Sequence, residues 1–229
     1  MWNGKKKALT FSFDDGVTQD IRLLEILNKY GLKATFNLNS GMLGLTRTLE
    51  RNGKTVDHNK IQPSQVKELY AGHEVAVHTL MHLTLPPLSE EAIVYQVEED
   101  RKALESLVGY PIVGMAYPNG PNDDRVAKII EKNTPIGYSR TVTSTYDFTP
   151  QKKNLLRYNP TVYYVEPQLD DLVERFLSED TDEDRLLYIW GHSYEMDADM
   201  ITWEHFEELC KRLSGRDDIF YATNKEVLL

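Results

Sequence analysis

The sequence predicts an α/β fold built on a parallel sheet, and three observations carry that prediction. Short apolar runs with the alternation of strands recur along the chain, and stretches with helical apolar spacing separate them. Residues able to do chemistry fall just after these runs: Asp14 and Asp15 after ALTFSF, His78 after EVAV, Tyr117 and Pro118 after VGMA, His192 after LLYIW and Gly191. In a barrel of parallel strands those ends share one face, where active sites lie. The third observation is size: 229 residues with 41% hydrophobic content suffice for one sizeable core, so residues 1–229 are expected to form a single domain.

The elements read in order as follows. Leu9, Phe11 and Phe13 alternate with Thr10 and Ser12, a strand that stops at Asp14-Asp15-Gly16. Thr18 is placed to cap a helix with apolar positions Ile21, Leu24 and Leu27, ended by Gly31. Lys33–Leu38 is a second strand. Residues 39–59 read as a long inserted loop, a feature often tied to function. Pro63 opens a helix that closes at Gly72, and Glu74–Val77 is the third strand. Ser89 caps the longest helix, with Ile93, Val97, Leu104 and Val108 on one face and Gly109 after it. Strand Val113–Tyr117, a helix capped by Asn122 and strand Gly137–Val142 follow. Residues 143–164 read as irregular. A helix from Pro167, the strand Leu186–Trp190, a helix carrying Trp203, Phe206 and Leu213, and the strand Ile219–Ala222 complete the chain.

The net charge is −10, from 36 acidic and 26 basic residues, which argues against nucleic acid or an anionic membrane as partner. The single cysteine, Cys210, excludes an intrachain disulfide and falls at a core position of a helix. The first residues enter a strand without an apolar leader, and no run is long enough to span a bilayer, so a cytoplasmic location is expected.

Two adjacent carboxylates at a strand end repel unless a cation or partner stabilises them. One reading is a metal site in which one carboxylate ligates and the other stays free as a base; the other is a solvated turn before a helix. His78 and His82 have the H-x-x-x-H spacing that brings two imidazoles together, and zinc accepts two His nitrogens and a carboxylate; two unrelated histidines are the plainer reading. His192 is placed either to donate a proton or to make a structural hydrogen bond. His58, His73 and His205 read as structural or surface residues.

Ser12-Phe13-Asp14-Asp15-Gly16, followed by His78-Thr79-Leu80-Met81-His82, resembles the NodB-homology polysaccharide deacetylases, carbohydrate esterase family 4. Tyr117-Pro118-Asn119-Gly120 and His192 follow in that family's order, so the resemblance spans about residues 8 to 192. It implies a distorted (β/α) barrel of about seven parallel strands, one divalent metal, commonly zinc, and hydrolysis of N-acetyl or O-acetyl groups on an acetylated carbohydrate by metal-bound water. Carried over, Asp14 is the general base, Asp15, His78 and His82 bind the metal, His192 is the general acid, and the Asn119 N–H helps hold the oxyanion. Tyr117, Pro118 and Trp190 belong to the substrate pocket. The chain departs from the family at three places. Ala116 stands where many members carry an arginine that orients the aspartate, and Arg140 at another strand end is the expected substitute. Asn119 replaces an aromatic residue, and Gly191 replaces the leucine that often precedes the acid histidine. The alternatives are a hydrolase of another small amide on this fold and a non-catalytic carbohydrate-binding relative. The retained acid–base pair argues against the second.

Overall fold

A computed structural model describes residues 2–229. The chain opens with β1 (Lys7–Asp14), α1 (Asp20–Lys29) and β2 (Ala34–Leu38). A hairpin of β3 (Thr48–Arg51) and β4 (Lys54–Asp57) comes next, then α2 (Val66–Leu69), β5 (Glu74–Val77) and α3 (Glu90–Val108). The middle of the chain holds β6 (Gly114–Ala116), α4 (Asp124–Asn133), β7 (Tyr138–Arg140) and β8 (Val162–Tyr163). The last part holds α5 (Leu169–Ser178), β9 (Arg185–Gly191), α6 (Tyr194–Asp197), α7 (Trp203–Leu213), β10 (Ile219–Tyr221) and α8 (Asn224–Leu228).

Seven strands run side by side in the order β7-β6-β5-β2-β1-β9-β8, all parallel, and β10 pairs with the first half of β1. The sheet curls toward closure: Tyr158 bridges to Arg140 of β7, and the chain then joins β9 through β8. This is the distorted α/β barrel of seven parallel strands expected from the sequence.

β1 is buried along its whole length, because it has helices on one side and the barrel interior on the other. Phe11 and Phe13 pack edge-on against Phe206 of α7, with ring centroids 6.2 and 5.9 Å away. The alternate residues Thr10, Ser12 and Asp14 make polar contacts instead. Thr10 Oγ1 donates to Asn224 Oδ1 at 2.8 Å, and Asn37 Nδ2 donates to Ser12 Oγ at 2.9 Å. The apolar–polar alternation of β1 therefore separates the helix layer from a polar lumen, not core from water.

Four local readings are corrected. Residues 39–59 hold the β3–β4 hairpin as well as loop. Asn52 and Gly53 both take left-handed backbone (φ 51° and 72°), as a tight two-residue hairpin turn requires. The irregular stretch 143–164 contains β8. α1 starts at Asp20 without a side-chain cap from Thr18, and α4 is capped by Asp123, whose Oδ1 accepts from Val126 N at 2.8 Å, and not by Asn122. The Ser89 cap and the left-handed Gly109 at the ends of α3 are as expected. Among the described residues no helix is long and apolar enough to cross a membrane.

Candidate active site

The site forms where the strands of the barrel end. Asp14, the last residue of β1, is in register with Asn37 of β2. Its Oδ1 accepts from Asn37 Nδ2 at 2.8 Å, and its Oδ2 accepts from the Arg140 guanidinium. Arg140 ends β7, four strands from β1 in the sheet order; the curl of the barrel brings the two together. The guanidinium is fully buried and lies over the Trp190 ring, 4.3 Å from its centroid. Burial pushes the Asp14 carboxyl up, but Arg140, His78 and His192 outweigh it and hold the group below the usual carboxylate range.

Asp15 has a left-handed backbone (φ 84°), which turns its side chain away from that of Asp14. Gly16 follows, also left-handed; a Cβ there would lie 2.7 Å from Leu38 Cδ2. Asp15 Oδ2 lies 3.2 Å from His58 Nε2, and Lys60 Nζ donates to the Asp15 carbonyl at 2.7 Å. Burial again pushes the carboxyl up, yet His58 and Lys60 hold it well below its ordinary value. Its Oδ1 is buried and accepts no hydrogen bond; His82 Nε2 and Lys60 Nζ each stand 3.4 Å away.

His78 follows β5. Its N–H donates to Leu38 O at 2.9 Å and to Asp100 Oδ2 at 3.1 Å. Nδ1 lies 2.9 Å from Ala116 O, an acceptor only, so Nδ1 carries the proton and Nε2 keeps its lone pair. The chain then makes a strained turn, with Thr79 (φ 64°) and His82 (φ 56°) both left-handed. Asn39 Nδ2 holds it by donating to Thr79 O at 2.9 Å, and Gln96 Oε1 accepts from Met81 N at 3.0 Å. Burial keeps both imidazoles neutral: His78 is lowered, and His82 is lowered to about 4, because two adjacent imidazoles also resist being protonated together.

The orphaned carboxylate oxygen and the two neutral imidazoles offer ligand atoms within 4.8 Å of one another. A low-pKa carboxylate and two imidazoles are the donor set of a divalent transition metal, so the residues fit such an ion.

His192 follows β9, and its Nε2 lies 3.9 Å from Asp14 Oδ2, the same distance as His78 Nε2. Its Nδ1 lies 3.2 Å from Oε1 of Glu195, a side chain with no exposed surface. Burial disfavours the imidazolium, but the Glu195 charge overrides this and raises the pKa to about 9. Gly191 just before it admits Tyr164: a Cβ there would sit 2.2 Å from Tyr164 Cε1. Tyr164 in turn donates its hydroxyl to His192 O.

Among the other residues singled out from the sequence, Trp190 is buried at the site, stacked on Tyr163 with centroids 4.4 Å apart. Pro118 is buried. Asn119 is exposed with φ 60°, and its side chain donates to Thr84 Oγ1 at 3.0 Å. Tyr117 is buried in the main core and its hydroxyl donates to Leu156 O at 2.7 Å. The sequence reading missed Glu195, Tyr163, Arg51 and Lys60, and it passed over His58 as a structural or surface residue. A His192-x-x-Glu195 spacing was the available signal for the first.

Fold and site together define a class: a parallel α/β barrel whose strand ends gather two ionised carboxylates, two neutral imidazoles and a protonated one. Within that class the chain belongs to the polysaccharide deacetylase family, whose model matches residues 2–135. A peptidoglycan-N-acetylglucosamine deacetylase of Bacillus cereus is 29% identical over 142 residues, covering 61% of this chain and 57% of that protein. The structure of a Streptococcus pyogenes deacetylase, PplD, in complex with acetate matches with TM-score 0.54 at 22% identity, covering 65% of this chain and 61% of that one. A CE4 family pseudoenzyme from Bacillus anthracis matches over 98% of this chain and 66% of its own, with TM-score 0.57 and 18% identity. These structural likenesses speak to the fold. The first two matches span less than two thirds of the relatives' own length.

Proposed function

We propose that residues 1–229 act as one catalytic unit that hydrolyses acetyl groups from a carbohydrate, using a divalent cation, zinc by its donor set, held by Asp15, His78 and His82. One observation supports this above the rest: the orphaned Asp15 Oδ1 faces two neutral imidazoles, while the Asp14–His192 pair stands beside them. A cation bound there supplies Lewis-acid polarisation of the acetyl carbonyl and lowers the pKa of water.

The chain's own residues do the remaining work. Asp14, kept ionised by Arg140, accepts the proton of the attacking water. Asn37 fixes its other oxygen, so a single orientation is presented. The backbone N–H of Asn119 is the donor assigned to the developing oxyanion. His192, protonated through Glu195, delivers a proton to the departing amine or alcohol. Trp190, held between Tyr163 and Arg140, forms an apolar wall for the acetyl methyl.

The name of the Bacillus cereus relative makes N-acetylglucosamine oligomers the first substrate to test. The assay is acetate release from N-acetylated and O-acetylated oligosaccharides, before and after chelator treatment and after zinc is restored. Chelator-sensitive release supports the proposal. Carbohydrate binding without release by the zinc-loaded protein would instead favour a non-catalytic relative.

A further inference from the structure

The β3–β4 hairpin reaches the site at both ends. At its base, His58 and Lys60 contact Asp15. At its tip, Arg51 Nη2 donates to Glu195 Oε1 at 2.9 Å and lies 3.3 Å from the Tyr163 hydroxyl. The tip is docked and not waving: Asn52 Nδ2 donates to Ala198 O at 2.9 Å, and Lys54 pairs with Asp199. Val56 packs with Val17, Tyr194 and Ala198 in a small apolar cluster.

Glu195 is the group these contacts converge on. Its carboxylate has no exposed surface, so each oxygen must be satisfied inside the protein. Oε1 accepts from Arg51 and from the Tyr163 hydroxyl, and Oε2 accepts from the His192 backbone N–H at 3.2 Å. Oε1 is also the atom 3.2 Å from His192 Nδ1. Without Arg51 the buried carboxylate would keep two neutral donors, the Tyr163 hydroxyl and the His192 N–H, and the imidazole as its one cationic partner. Arg51 supplies a second, permanent charge and a fixed direction.

We propose that Arg51, carried by the inserted hairpin, is a positioning residue for the leaving-group proton donor: it holds Glu195 against His192 so that the imidazole is aimed at the departing atom. This rests on the reading of His192 as the acid. Arg51 acts through Glu195 and touches no reacting atom. The hairpin is thus part of the proton-transfer machinery, and its loss acts on the chemical step, not on substrate binding.

The experiment compares Arg51→Met, Arg51→Lys and His192→Ala, and the double variant, on an N-acetyl amide and on an activated acetyl ester whose leaving group departs without a proton. Circular dichroism and zinc content verify folding and loading. For Arg51→Met, kcat on the amide should fall about 10-fold with KM within about twofold, and the ester rate should fall less than about threefold. Arg51→Lys should recover part of the loss. In the His192→Ala background, Arg51→Met should cost nothing further on the amide, because both act on one proton transfer. If His192→Ala is selective for the amide while Arg51→Met hurts both substrates equally, or acts through KM, the positioning role is wrong and the acid assignment stands. If His192→Ala itself loses both substrates alike, the acid reading fails and this proposal falls with it. Should Arg51→Met not fold, Arg51→Lys and Tyr163→Phe carry the same comparison, since Tyr163 holds the same oxygen.

Discussion

Glu195→Gln separates the charge of the carboxylate from its shape. Glutamine keeps the size and an acceptor oxygen but loses the anion that raises His192 to about 9. With that anion gone, burial acts against the imidazolium, and the smaller Asp14 and Asp15 contributions are left to favour it. The sign follows from which form works. In the proposed mechanism the protonated imidazole donates, so wild-type activity should hold through neutral pH and fall as pH rises through about 9. In the variant that fall moves toward the ordinary histidine value. If it moved all the way to about 6.5, the protonated fraction at pH 8 would drop from about 0.9 to about 0.03, a loss of up to about 30-fold. At pH 5.5 the same change costs less than about 1.2-fold. The assay is the pH profile of kcat/KM on an N-acetylated oligosaccharide with the zinc-loaded enzyme. A loss of the same size at pH 5.5 and pH 8 would refute the reasoning, because it would mean that Glu195 matters for shape and not for charge.

The remaining predictions follow from the same geometry. His78→Ala should lose most of the bound zinc, read by metal analysis of the purified protein; full loading would remove His78 from the ligand set. Asp14→Asn should bind zinc yet hydrolyse about 10²–10⁴-fold more slowly, and turnover near the wild-type rate would rule it out as the base. Arg140→Ala should leave metal content intact and cut turnover. It should also move the acid limb to higher pH, since the charge that holds Asp14 low is gone; an unmoved limb would count against Arg140. Phe206→Ala, at a fully buried contact with both β1 phenylalanines, should lower stability by ~3–5 kcal/mol in urea titrations.

What was legible in the sequence was whatever depends on local pattern. Strand endings at Asp14, Val77 and Gly191 are local, so the sequence pattern alone places the carboxylate pair and the histidines on one face. Side-chain direction past a strand end is not local. Tyr117 turns into the core because its backbone is still tied to β7, Tyr117 N donating to Arg140 O at 3.0 Å. β8 is two residues long and has no period to detect. The hairpin did carry a signal in Asn52-Gly53, a favoured tight turn between two polar strands with little apolar alternation. Arg51 and Glu195 are 144 positions apart, and nothing in either neighbourhood points to the other. Such pairs become visible only when the sheet curls.

The pairing of β1 with β9 and β10 has a consequence for how the molecule comes to exist. Strand β1 finds two of its three neighbours, β9 and β10, within residues 185–229, and Trp2 Nε1 donates to Val227 O across a separation of 225. Contacts of that sequence separation slow folding, because loop-closure entropy is spent before they form. The stretch 2–135 that carries the family match also lacks the strand that lines β1 along one whole edge. Expressed alone, it would expose Phe11 and Phe13 without α7 and should aggregate rather than fold. Asp14 and His192 stand on β1 and just after β9, so the pair that faces across the site is assembled only when these two distant stretches pair.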